Sequence, residues 1–214
     1  MRRDTRVGPP FMNLAARMRQ ALRQYMQWLL CLGLPFALAL GAIPASASEL
    51  SDRLQTSSYV LLMRHAYAPG VGDPSGYSLQ RCESQRLLNE EGQAQAVRIG
   101  QWLRAQGVTH AQVHSSIWCR CQQTAERLRF GPVQIEPSLA SFFDEPAQAS
   151  SRNQSLQKFI AQKLQTKGNH ALILVTHHVN IREFMGQDIG SGDMVLARVT
   201  PQGRLLDHKL FPSP

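Results

Sequence analysis

The stretch "HALILVTHH" (170–178) runs without a polar break from Ala171 to Val175 and then ends in Thr176, His177 and His178. So short an unbroken apolar run suits a strand covered on both faces, as in parallel sheets sandwiched by helices. "SSYVLLMRHAYAPG" (57–70) has the same form: Tyr59 to Met63 are apolar, Arg64 and His65 follow, and Pro69 and Gly70 break the chain. Outward from these two strands the pattern alternates. Residues 89–107 read as a helix, with Asn89 as its cap, Glu90 and Glu91 in its first turn and Gly107 at its end. Strand 111–116 is followed at once by a helix over 117–130, and then by a short strand over 133–136. Leu156, Phe159, Ile160 and Leu164 mark a helix over 155–164, and a helix opens after His177. Residues 193–200 and 204–211 alternate as a closing hairpin. The expected fold class is therefore α/β, a three-layer sandwich around a mainly parallel central sheet.

Ligands of such sheets bind outside the carboxyl ends of the strands. Three strands deliver polar groups to that rim: Arg64 and His65, then Arg120 in the turn after 111–116, then His177 and His178. Guanidinium groups fork onto phosphate oxygens, and a helix beginning near Ile117 adds its positive end. Neighbouring cations keep an imidazole neutral, which is what a nucleophilic histidine requires. No Asp, Glu or Cys joins His65 and His177 in a ligand pattern, so neither a metal nor any other cofactor is expected.

The blocks "LMRHA", "SSIWCRCQQTAE" and "LVTHHVNI" resemble, in order, the three signatures of the histidine phosphatase superfamily, which has the phosphoglycerate-mutase-like fold. The resemblance implies that His65 is the nucleophile and that Arg64, Arg120 and His177 clamp the phosphate. It also implies that Ser116, Thr124 and Ala125 are structural members of the middle block. Ala66 replaces the family's usual glycine, and the residues that mutase members carry after the nucleophile are missing from "AYAPGVGD". "THHVN" places His178 where the acid-phosphatase branch has its proton donor. His178 is thus the expected general acid, catalytic with His65, Arg64, Arg120 and His177; Asp144 and Glu145 are the rivals. The implied reaction is hydrolysis of a small-molecule phosphomonoester through a phosphohistidine. The alternatives are an inactive phosphate-binding module of the same fold and a protein phosphohistidine phosphatase.

The chain has 214 residues and a formal charge of +8, from 23 Lys and Arg against 15 Asp and Glu. Residues 1–47 read as a cleaved signal peptide: a basic stretch, the apolar run 28–43 and the small residues of "PASAS" (44–48). The start codon is open among Met1, Met12, Met18 and Met26. That leader holds six of the cations and one of the anions, leaving 17 against 14 in residues 48–214, expected to be a single catalytic domain. The excess basicity is thus mostly targeting signal, and no aromatic–basic interleaving points to nucleic acid. A periplasmic or secreted protein without stable membrane insertion follows. Anchoring through the 16 apolar residues of 28–43 is the alternative, although they fall short of the ~20 a spanning helix needs. Cys82, Cys119 and Cys121 lie beyond the leader. In an oxidising compartment Cys82 is expected to pair with Cys119 or Cys121. "WCRC" lacks the spacer of a zinc knuckle. The long Gly- and Pro-rich loop 66–88 is expected to wall the site, its Tyr67, Tyr77 and Arg81 either touching substrate or packing.

Overall fold

The computed structural model describes residues 48–214, so the expected leader lies outside the described residues. Six strands form one sheet in the order β3-β2-β4-β1-β5-β6. They are β1 (Tyr59–Arg64), β2 (Ala111–Ser115), β3 (Val133–Ile135), β4 (Ala171–Thr176), β5 (Met194–Val199) and β6 (Leu205–Phe211). The first four are mutually parallel; β5 pairs antiparallel with β1, and β6 antiparallel with β5. The sheet is mainly parallel with a hairpin at one edge, as the sequence implies.

Both faces of β1 and β4 are covered, which is why their residues do not alternate with polar ones. Leu61, Met63, Ile173 and Val175 pack on one side with Leu50 and Leu54 of α1 (Glu49–Gln55), Ile99 and Leu103 of α2 (Glu90–Ala105), and Ala125 of α3 (Cys119–Arg127). Val60, Leu62, Leu172 and Leu174 pack on the other side. They meet Leu156, Phe159 and Ile160 of α4 (Ala149–Thr166) and Ile181 and Phe184 of α5 (His178–Met185). Three layers result. Burying each of these large side chains contributes about 1.5–3 kcal/mol.

Element boundaries differ from the sequence reading where apolar periodicity is missing. Helix α4 begins six residues before the expected 155, in a polar stretch, and α1 has no counterpart in the sequence reading. Its signals are short: Ser48 caps it by accepting from the Ser51 backbone N–H, and Leu50 and Leu54 supply one buried face. Helix α3 starts at Cys119 rather than near Ile117.

The sheet order sets the site. Strands β2, β4 and β1 are neighbours, so their carboxyl ends open side by side. Backbone hydrogen bonds extend past the strand ends, from the His65 N–H to the Thr176 carbonyl (3.0 Å) and from the Ser116 N–H to the Val175 carbonyl (2.9 Å).

Candidate active site

Arg64, His65, Arg120, His177 and His178 all line one cleft of about 390 Å³ at these strand ends. His65 is 1 % exposed, and its Nδ1 lies 2.8 Å from the carbonyl of Ala66. A carbonyl only accepts, so Nδ1 carries the proton and the neutral ring keeps its lone pair on Nε2. Burial, followed by the charge of Arg120, holds this imidazole well below the usual histidine pKa. The position is braced behind: the Ala66 N–H donates to Thr124 Oγ1 (3.0 Å), which itself donates to the Arg120 carbonyl (2.7 Å). The Thr of the middle block therefore ties the residue after His65 to α3.

His177 is equally buried, with its Nε2 2.9 Å from Ser116 Oγ and its ring 5.5 Å from that of His65. Burial and then Arg120 hold it well below the usual range as well. His178 is half-buried, edge-on to Phe143 at 5.8 Å, and its pKa is lowered by burial and then by Arg64.

The arginines carry the clearest signature. Arg64 donates through Nη1 to the Ile189 carbonyl (2.8 Å), and Arg120 through Nη1 to both oxygens of Asp73 (2.8 and 3.0 Å). The Nε of each is buried without a partner. Leaving such charged donors unmet is costly, so an anion that accepts from both is the fitting guest. Among the described residues no cluster of three or more His, Cys, Asp or Glu is placed to hold a metal ion.

The geometry corrects one expectation and decides between the alternatives left open in others. The first N–H of α3 is not open to a ligand: Cys119 N donates to Gln85 Oε1 (3.0 Å). Tyr67, Tyr77 and Arg81 are absent from the cleft lining. Tyr77 packs on Trp118 and donates its hydroxyl to Asp144 Oδ2 (3.1 Å). Of the rival acids, Asp144 lines the cleft and Glu145 does not, its side chain bonding Gln148 instead. Cys82 pairs with Cys119, while Cys121 is free and buried with its thiol pushed up to about 12.

Asp73 and Arg86, both cleft residues, escape the sequence reading. Arg86 folds the loop around itself, donating to the carbonyls of Ala68, Gly70 and Gly72. The available signal was the scarcity of charge in a Gly- and Pro-rich loop: Asp73 is its only acidic residue before Cys82.

Residues 60–143 match the family model of the histidine phosphatase superfamily (branch 1). Over that segment the chain is similar to this superfamily. Its class of activity is phosphoric monoester hydrolysis. The match takes in Arg64, His65 and Arg120, whereas His177 and His178 lie beyond it and join them only in the folded chain. Solved structures share the phosphoglycerate-mutase-like fold. A protein described as mycobacterial hydrolase 1 is 13% identical with a TM-score of 0.55, over 73% of this chain and 98% of that one. Mycobacterial glucosyl-3-phosphoglycerate phosphatase with bound vanadate is 14% identical, with a TM-score of 0.51 over 65% and 92%. A putative alpha-ribazole-5'-P phosphatase from Escherichia coli is 19% identical, with a TM-score of 0.50 over 73% and 96%. No curated protein sequence matches.

Proposed function

We propose that the protein is an exported phosphatase that transfers the phosphoryl group of a phosphomonoester to His65 and then hydrolyses the phosphohistidine. The observation that carries the reading is the pair of buried, partnerless guanidinium Nε groups on Arg64 and Arg120, in one cleft with a neutral His65 whose Nε2 is free to attack. The Nε2 lone pair forms a bond to phosphorus as the bond to the leaving oxygen breaks, and Arg64, Arg120 and His177 hold the phosphoryl oxygens. His178 donates a proton to the leaving alkoxide; the dianionic substrate raises its pKa and so restores the proton that burial disfavours. Water then attacks phosphorus, releasing phosphate and regenerating His65.

Export is supported by the composition of residues 1–47 and by the Cys82–Cys119 disulfide, a bond that persists in oxidising compartments. A cell-envelope sugar phosphate is the candidate natural substrate.

The test is hydrolysis of p-nitrophenyl phosphate by the purified protein, with trapping of an acid-labile phosphoenzyme. His65→Ala is expected to abolish both turnover and labelling. A phosphoenzyme that survives this substitution excludes His65 as acceptor, and binding of phosphate with no turnover in the parent protein points to the inactive module.

A further inference from the structure

Arg120 and Asp73 form a buried pair, their side chains 5 % and 3 % exposed. The guanidinium cannot sit there alone without a heavy desolvation penalty. Asp73 does more than neutralise it. Oδ1 also accepts from the Arg86 backbone N–H (2.9 Å), and Oδ2 from Trp118 Nε1 (3.1 Å). With donors on both oxygens the carboxylate cannot rotate, and it occupies Nη1 of Arg120 while leaving the buried Nε unpaired. Arg182, Asp144 and Asp188 also line the cleft but are exposed; among its wholly or partly buried groups, Arg64, Arg86 and Arg120 against Asp73 sum to two positive charges. That is the complement of a phosphomonoester dianion.

We propose that Asp73 is a positioning residue for the reaction, acting through Arg120: it fixes the guanidinium so that the free edge meets the phosphoryl group in flight, and it trims the cradle's charge so that the dianionic product is released. The inference rests on the phosphatase reading above. It separates two uses of one arginine. An Arg120 freed from Asp73 is a stronger but misaligned cation, which favours bound phosphate over the transition state.

The experiment is a double-mutant cycle of the parent protein, Asp73→Asn, Arg120→Ala and the double variant. It reads kcat and KM for p-nitrophenyl phosphate, and calorimetric affinity for inorganic phosphate. With Arg120 present, Asp73→Asn is expected to lower kcat about 10- to 100-fold while inorganic phosphate binds several-fold tighter. In the Arg120→Ala background the same change is expected to move kcat by less than about twofold, while phosphate still binds tighter because a negative charge has left the cleft. Equal effects on kcat in the two backgrounds, or a raised KM with weaker phosphate binding, would overturn the proposal, since damage to loop packing gives that result. Should Asp73→Asn fail to fold, Trp118→Phe removes only one donor to the carboxylate. It is then expected to shift kcat and phosphate affinity in the same two directions, and no shift in either refutes the role. If the parent protein turns over no ester, the phosphatase reading falls, yet phosphate affinity still decides the charge role: tighter binding by Asp73→Asn supports it and unchanged or weaker binding refutes it.

Discussion

The acid–base behaviour of the site follows from where each imidazole sits. To act as the proposed nucleophile His65 must be neutral, and burial with Arg120 beside it keeps it so to well below pH 6.5. His178, by contrast, must be protonated to act as the proposed general acid, and its pKa in the free protein is also lowered, by burial and Arg64. Since kcat/KM reports the free enzyme, its maximum is expected on the acid side of pH 6.5, falling as pH rises and His178 loses its proton. A pH profile on an alkyl phosphate checks this. His178→Ala should remove the alkaline fall and slow alkyl esters far more than aryl esters, whose leaving groups need no acid. Equal losses on the two esters, or a maximum above neutrality, would assign the proton to another group such as Asp144.

At the scale of elements, the strands were the legible part. Unbroken apolar runs at 59–63 and 171–175 gave β1 and β4 within a residue, because burial on both faces admits no polar residue, and their polar ends gave Arg64, His65 and His177. Asp73 and Arg86 were not legible. Their roles depend on hydrogen bonds across an irregular loop, from Arg86 to the carbonyls of Ala68 to Gly72, and no period in the sequence encodes such contacts. That loop is held against the rest by a close approach: a Cβ on Gly92, in the first turn of α2, would stand 1.8 Å from the Tyr67 carbonyl oxygen. Gly92→Ala must therefore push the backbone two residues from His65. It is expected to cost about 1–3 kcal/mol in stability and to lower kcat/KM as well, read by urea denaturation and ester hydrolysis. An alanine variant as stable and active as the parent would show that the loop yields freely.

Across the whole domain, acid is expected to unfold the protein through its neutral histidines. His114 of β2 is 1 % exposed, edge-on to Phe159 at 5.0 Å, with Nε2 unpaired, and burial with Lys163 nearby lowers its pKa to about 4. Between about pH 6.5 and that value the unfolded chain takes up a proton that the native chain refuses, so stability falls as pH drops through the window. The loss from His114 alone is of order 3 kcal/mol, and His65 and His177 act in the same direction. Urea midpoints measured at pH 7 and pH 4.5 test this. His114→Leu should flatten the dependence, and an unchanged slope would place the acid sensitivity elsewhere.

One backbone bond, from the His65 N–H to the Thr176 carbonyl, has a consequence for the order of events during synthesis. The two partners are more than a hundred residues apart in the chain yet adjacent at the mouth of the sheet. A nascent polypeptide emerging from the ribosome cannot close the cradle until β4 is out, and a fragment ending before Ala171 would display His65 with half its surroundings missing. The cradle in this molecule closes late and all at once, when about four fifths of the chain is made.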